Sequence, residues 1–137
     1  MGSDLGWERP GMGSMIENIS VDCADAYALG RWWSQVLDLP LSPEDEPGDP
    51  EALIELGDGR NLLFMQVPEP KSVKNRLHFC LRPERPRDEE VRRLLGIGAT
   101  QVDDRREQDG TGWVVLADPE GNEFCVLRGA HDDPPRL

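Results

Sequence analysis

The sequence predicts an α+β fold made of two βαβββ modules in a pseudo-twofold arrangement. Three observations lead to this prediction. Short segments alternate apolar and polar residues, two segments carry apolar residues at helical spacing, and the order of these segments repeats along the chain. A length of 137 residues suits one compact domain and is too short for two ordinary ones.

In the first half of the chain, the sequence pattern predicts a strand, a helix and three further strands. Apolar and polar residues alternate over 16–23, as in a strand with one apolar face. Asp25 is a predicted helix N-cap, and an apolar stripe follows over 29–37. Trp32 and Trp33 are adjacent on this helix, so only one of them is expected to be buried. Strands are then predicted at 39–42, 52–56 and 61–67, and the turn 57–60 joins the last two.

In the second half of the chain, the sequence pattern predicts the same order of elements. Alternation over 76–82 indicates a strand, and Asp88 is a predicted N-cap for the helix that follows. The apolar face of that helix carries Val91, Leu94 and Leu95. Strands are then predicted at 100–103, 112–117 and 123–128, and the turn 118–121 joins the last two.

The two halves correspond at a fixed offset. Adding 60 takes Asn18 to His78 and Met65 to Cys125. A helix covers one face of each predicted sheet, so two modules can place their bare faces around a shared cleft. A ferredoxin-like domain is the alternative, but it has two strands after the first helix, and three fit better here.

The predicted domain covers most of the chain and leaves a tail at each end. The Gly-rich start has no periodicity, and Gly13-Ser14-Met15 suggests added residues before a native start. Trp7 is interpreted as a tail residue, and no role is assigned to His131. The predicted divisions are a flexible tail at 1–14, a domain at 15–128 with modules at 15–67 and 74–128, and a flexible tail at 129–137.

Charge and cysteine content narrow the functional class. The formal net charge is −12, which argues against nucleic-acid binding because that needs clustered positive charge. No apolar run is long enough to span a membrane, and no signal peptide is visible. The three cysteines, Cys23, Cys80 and Cys125, are odd in number and far apart, unlike a disulfide framework. A cytoplasmic location is expected.

Several motifs resemble those of the vicinal oxygen chelate superfamily, and among its members the glyoxalase-like proteins of actinobacterial type. The motifs are Val21-Asp22-Cys23-Ala24-Asp25 before a Trp-bearing helix, Lys74-Asn75-Arg76-Leu77-His78-Phe79, and Asp118-Pro119-Glu120-Gly121-Asn122-Glu123-Phe124. The resemblance implies an open, U-shaped barrel around a ligand cavity. It says less about the reaction, because the superfamily includes isomerases, dioxygenases, thiol transferases and drug-binding proteins.

The resemblance also identifies the positions at which metal-dependent members carry ligands. Four ligands, mostly His, Glu or Gln, come from the first and last strand of each module in those members. The offset places Asn18, Met65, His78 and Cys125 there, and only His78 keeps a standard ligand type. No metal and no other cofactor is therefore predicted. Copper held by the softer donors, and zinc held by His78 and Cys125, are the alternatives.

The candidate site residues follow from strand parity around His78. His78 is a candidate acid–base group, because imidazole titrates near neutral pH, or else a hydrogen-bonding wall residue. Cys125 is a candidate nucleophile if His78 activates it, or else a small wall residue. The candidate ligand-binding residues are Asn18, Met65, Arg76, Cys80, Trp113 and Glu123.

Two functions remain open at this point, with a third as a further alternative. The first is a glyoxalase-like lyase or isomerase that uses His78 without the standard metal. The second is a binding protein that sequesters a small molecule, as bleomycin-resistance-like members of the superfamily do. The third is an interaction module whose cavity binds no ligand. The expected partner is a small molecule, with no nucleic acid and no membrane. A homodimer is left open, since members form the cavity within one chain or across a dimer.

Overall fold

A computed structural model describes residues 13–132 of the chain. The chain divides into two compact units, with the boundary between Pro70 and Lys71. Each unit is one module with its own sheet and helix, which confirms the α+β class and the repeated order of elements. None of the helices between residues 13 and 132 has the length and apolar character required to cross a bilayer.

Module 1 contains three strands and one helix. The elements are β1 (Asn18–Cys23), α1 (Ala26–Leu37), β2 (Glu51–Gly57) and β3 (Arg60–Gln66). The strand order is β1-β3-β2, in which β1 pairs parallel with β3 and β2 pairs antiparallel with it. The strand predicted at 39–42 is reduced to a single bridge between Leu41 and Ile54. Pro40 and Pro43 on either side of this bridge lack the N–H groups that a longer ladder needs.

Helix α1 begins and ends as the sequence predicts, but it buries more than expected. The Asp25 carboxylate accepts a hydrogen bond from the backbone N–H of Ala28 at 3.1 Å, which confirms the predicted N-cap. Trp32 and Trp33 are only 7% and 2% exposed, so the expectation that only one of them is buried is wrong. Their rings meet edge to face with centroids 5.2 Å apart, and this contact lets adjacent helical positions share the core.

Module 2 contains four strands and one α-helix. The elements are β4 (Phe79–Leu81), α2 (Arg87–Gly96), β5 (Thr100–Asp104), β6 (Trp113–Ala117) and β7 (Glu123–Leu127), followed by a 3₁₀ turn (Ala130–Asp132). The strand order is β4-β7-β6-β5. β4 pairs parallel with β7, and the other neighbours are antiparallel. The order matches that of module 1, with β5 in the place of the Leu41 bridge.

Helix α2 departs from the prediction at its start and on its apolar face. Asp88 lies in the first turn and is not the N-cap, because Pro86 occupies that position without a side-chain hydrogen bond. The negative charge of the Asp88 carboxylate still interacts favourably with the positive end of the helix dipole. Leu95 is exposed, because the buried face runs through Arg87, Glu90 and Leu94, three to four residues apart.

Arg87 connects the start of α2 to the loop that precedes β6. Its side chain is buried, and its guanidinium donates hydrogen bonds to the carbonyls of Gly112 at 2.8 Å and Gly110 at 2.9 Å. Its backbone N–H donates to the Asp132 carboxylate at 2.7 Å. The helix start, the loop and the 3₁₀ turn are therefore joined by hydrogen bonds from one residue.

The strand registers show that one fixed offset does not relate the two modules over their whole length. Val21 pairs with Phe64, 43 positions later, whereas Leu81 pairs with Val126, 45 positions later. Module 2 thus has two more residues between its first and last strands. When the first strands are aligned at an offset of 60, the last strands align at 62, and Leu63 rather than Met65 is the counterpart of Cys125.

Candidate functional site

A pocket of about 490 Å³ lies entirely within module 2. We call it the module 2 pocket. Apolar side chains form much of its wall, and several polar groups converge on it, which is typical of small-molecule sites. The lining residues are Lys74, His78, Cys80, Val102, Asp103, Arg105, Trp113, Val115, Glu123, Cys125 and Leu127.

Strand alternation explains which residues reach the pocket. Val114 and Leu116 of β6 and their neighbours in β7 are buried on the opposite face, where Leu94 of α2 is also buried. Successive side chains of a strand point to opposite faces, so Trp113 and Val115 lie on the face without the helix. Trp113 is 42% exposed there. The alternation therefore predicts the pocket side of β6 and β7 correctly.

An irregularity in β5 supplies another wall of the pocket. The pairing with β6 shifts between Gln101, which lies opposite Leu116, and Asp103, which lies opposite Val115. Val102 is the residue left over, and it lines the pocket together with Asp103. β-Bulges of this kind redirect side chains and are common beside functional sites.

Three side chains with nucleophilic or metal-binding atoms lie together in the pocket. The ligand atoms of His78, Cys80 and Cys125 are all within 4.8 Å of one another. His78 directly precedes β4, and Cys80 pairs in register with Cys125. An imidazole and two thiols suit a soft or borderline cation such as Zn²⁺. The metal sites that the superfamily resemblance implies contain carboxylate ligands, and these three residues provide none.

Burial controls the chemistry of Cys125. Removal from water, with a further contribution from the neighbouring Cys80 thiol, raises the pKa of Cys125 to about 11. Lys74 lowers it by a smaller amount. Cys125 is therefore a protonated thiol at neutral pH, which opposes its interpretation as the nucleophile, since thiolate is the reactive form.

The two pocket thiols are expected to react with iodoacetamide at very different rates at pH 8. Cys80 is exposed, whereas Cys125 is 6% exposed and about a thousandth ionised at that pH. Mass spectrometry of the folded protein should find Cys80 modified at least about tenfold faster than Cys125. Modification of Cys125 should accelerate as the pH approaches 11. Equal rates at pH 8 would contradict this description of the pocket.

The charged groups of the pocket are paired with one another. Lys74 Nζ lies 3.3 Å from Glu123 Oε1. Arg105 Nε donates to the Asp103 carboxylate at 2.5 Å, and this hydrogen bond, with one from the backbone N–H of Asp104, lowers the pKa of Asp103. Two cations and two carboxylates thus balance, and the acidity of the whole chain is not a property of this pocket.

A buried aspartate organises the turn that precedes β7. The Asp118 carboxylate accepts hydrogen bonds from the backbone N–H groups of Glu120 and Asn122, both at 2.9 Å. The Asn122 amide donates to the same carboxylate at 3.0 Å and accepts from the Asn75 amide at 2.8 Å. Asn75 lies three residues before His78, so this network holds the segment that leads to the imidazole.

The structure brings together most of the predicted site residues. His78, Cys80, Cys125, Trp113 and Glu123 line the module 2 pocket. Arg76 is exposed and is not among the lining residues of this pocket, and its predicted role at a ligand stays a prediction. The strand predicted at 76–82 is shortened to β4, so Arg76 lies at a bend in an irregular segment, where strand parity does not apply.

Asn18 and Met65 lie in module 1. They occupy β1 and β3 on the face opposite the buried Leu62 and Phe64. Asn18 accepts a hydrogen bond from the Asn61 amide at 3.0 Å. Both residues therefore lie on one face of the module 1 sheet, and their role as ligand-binding residues stays a prediction.

Other pocket residues were not predicted. Val115 and Leu127 share strand parity with Trp113 and Cys125, so alternation alone could have found them. Val102 depends on the β-bulge, and Lys74 lies in a segment without regular structure. Neither position carries a periodic signal in the sequence.

The chain matches the family model described as a glyoxalase-like domain over residues 18–127. None of the curated proteins matches it significantly. Among solved structures, a glyoxalase/bleomycin resistance protein/dioxygenase family enzyme from Burkholderia phytofirmans PsJN is similar, with a TM-score of 0.61 and 20% identity over 80% of this chain and 94% of that one. A possible glyoxalase from Bacillus cereus gives a TM-score of 0.60 and 21% identity over 85% and 99% of the two chains. The protein therefore belongs to the glyoxalase-like domain family of the vicinal oxygen chelate superfamily.

Proposed function

We propose that the module 2 pocket binds a small organic molecule and that His78 acts on it as an acid–base group, in a lyase or isomerase reaction without a bound metal. The observation that carries this proposal is the exposed imidazole on a pocket of about 490 Å³ with largely apolar walls. Such a pocket excludes part of the water around a ligand and leaves one proton-transfer group in contact with it.

The substrate class follows from what an imidazole can do without a metal. Imidazole is the side chain best suited to move a proton near neutral pH. A carbonyl compound with an acidic C–H, including the adduct of an aldehyde with a thiol, offers a proton that one base can remove and return. The positive and negative charges of the pocket are paired, so its lining has little net charge, which favours a ligand with small net charge.

The other groups of the pocket would position the ligand. Trp113 and Leu127 offer apolar contact area, and the Cys125 thiol is a neutral pocket wall at pH 7. The Glu123 carboxylate lines the same pocket as His78, and its ion pair with Lys74 offsets its negative charge. None of these residues replaces His78 in proton transfer.

Sequestration of a small molecule is the second candidate function. The pairing of both pocket carboxylates with cations favours it, since neither carboxylate is left free to serve as a second catalytic base. A pocket of this kind can hold a ligand without converting it. The two candidates therefore differ in turnover rather than in the place of binding.

The experiment compares His78→Gln with the wild-type chain on the hemithioacetal of methylglyoxal and a small thiol. We expect His78→Gln to lower kcat by about 100-fold with little change in KM, because general acid–base groups contribute about this much. Arg76→Gln is the matched control, since Arg76 is exposed and lies outside the pocket lining. Wild-type binding of the hemithioacetal without turnover would favour sequestration, and equal kcat for His78→Gln and wild type would refute the acid–base role.

A further inference from the structure

Cys80 and Cys125 form a cross-strand pair on the pocket side of β4 and β7. They are register partners in parallel strands, and both side chains line the module 2 pocket. Their sulfur atoms lie within 4.8 Å of each other. Cys23, the remaining cysteine, is buried in module 1, where its thiol donates to the Met65 carbonyl.

The backbone geometry allows these two residues to form a disulfide. Neighbouring strands lie about 4.8 Å apart, and a disulfide bridges Cα atoms separated by about 4.4–6.8 Å. Both side chains lie on the same sheet face, so side-chain rotation with a small approach of the two strands brings the sulfurs to a bond length of about 2.05 Å.

We propose that Cys80 and Cys125 are a modification site at which a peroxide converts the two thiols into an intramolecular disulfide. The difference in exposure sets the order of the two steps. Cys80 is exposed and is reached first by a peroxide from solvent, whereas Cys125 is buried next to it. This arrangement of an accessible cysteine beside a resolving cysteine is typical of reversible thiol oxidation.

The chemistry balances with hydrogen peroxide as the only co-reactant. The Cys80 thiolate attacks one peroxide oxygen, the O–O bond breaks, and Cys80 becomes a sulfenic acid while hydroxide leaves and takes up a proton. The Cys125 thiol then gives its proton to the sulfenic acid oxygen as its sulfur attacks the Cys80 sulfur, so the S–S bond forms, the S–O bond breaks and water leaves. The adjacent sulfenic acid thus takes the proton that solvent does not remove from the buried thiol at neutral pH. In total, two thiols and one peroxide give one disulfide and two waters.

The test uses the full chain, reduced, treated with a chelator and freed of reductant. Limited hydrogen peroxide should lower the number of free thiols from three to one per chain, with a mass decrease of about 2 Da. Trypsin places Cys80 and Cys125 in different peptides, 77–87 and 107–128, and these should be joined until a thiol reductant is added. Treatment with the reductant should restore three free thiols.

Matched variants identify the pair. Cys23→Ser should form the same linked peptides, whereas Cys80→Ser should keep Cys125 as a free thiol. Cys80 is exposed, so its replacement should leave the fold intact, which a thermal melt would verify. Conversion of Cys80 to a sulfinic acid while Cys125 stays free, or linkage between two chains in place of the internal bond, would overturn the proposal. These outcomes are independent of the acid–base role of His78.

Discussion

Replacing Asp118 with alanine is expected to lower the free energy of unfolding by about 3 kcal/mol. The carboxylate is 3% exposed and accepts hydrogen bonds from two backbone N–H groups and from the Asn122 amide. Alanine leaves these donors without their acceptor in a part-buried turn, so each loses a charge-assisted hydrogen bond. Urea denaturation of the variant and the wild-type chain measures the difference.

Two control variants separate the carboxylate from the turn itself. Asp118→Asn keeps an oxygen that can accept both backbone hydrogen bonds, so a loss of only about 1 kcal/mol is expected. Pro119→Ala alters an exposed residue of the same turn and should lower the free energy of unfolding by about 0.5 kcal/mol at most. If Asp118→Ala were no more destabilised than Pro119→Ala, the hydrogen-bond network would not be holding the turn.

Replacing Gly30 with valine should destabilise the chain by about 3 kcal/mol. Gly30 is buried in α1, and a Cβ there would lie 3.1 Å from both Ala52 Cβ and Leu41 Cδ2, and 3.4 Å from a ring carbon of Phe64. The helix therefore lies so close to its neighbours that even a Cβ would require them to move by a few tenths of an ångström. The branched side chain of valine would push the helix away from the sheet or distort its neighbours.

Gly96 in α2 provides the matched comparison. A Cβ at Gly96 meets no described atom within 4 Å, and its replacement by alanine favours the helical conformation. Gly96→Ala should raise the free energy of unfolding by about 0.5 kcal/mol. If close packing rather than helix propensity decides the effect at Gly30, thermal melts should show a lower melting temperature for Gly30→Val and a higher one for Gly96→Ala than for the wild-type chain. A stabilised Gly30→Val variant would show that α1 does not approach the sheet this closely.

Most of the fold can be predicted from periodicity and turn chemistry. Alternation locates β1, the turns at 57–60 and 118–121 locate the strands on either side of them, and Asp25 marks the start of α1. The exceptions have local causes that hydrophobic patterns do not contain. Two prolines reduce the strand at 39–42 to one bridge, and the ring contact of Trp32 with Trp33 buries both. The insertion of two residues between β4 and β7 cannot be found while the halves are compared at one fixed offset.

The site is predictable only where strands supply it. Trp113 and Cys125 follow from parity, because side chains alternate strictly in β6 and β7. The β-bulge at Val102 and the irregular segment around Lys74 follow no period, so their contribution appears only in three dimensions. The close approach of Cys80 to Cys125 likewise depends on the β4–β7 register, which sequence spacing does not specify.

The central claim is that the module 2 pocket is a ligand site with His78 as its functional group. The most direct measurement is a fragment screen by NMR on isotope-labelled protein, which reports the position of binding without assuming a substrate. We predict that bound fragments shift the signals of the His78 imidazole, the Trp113 indole and the Leu127 methyl groups, and that Arg76→Gln leaves these shifts unchanged. If fragments bind only elsewhere, or if none perturbs these three residues, the claim is contradicted.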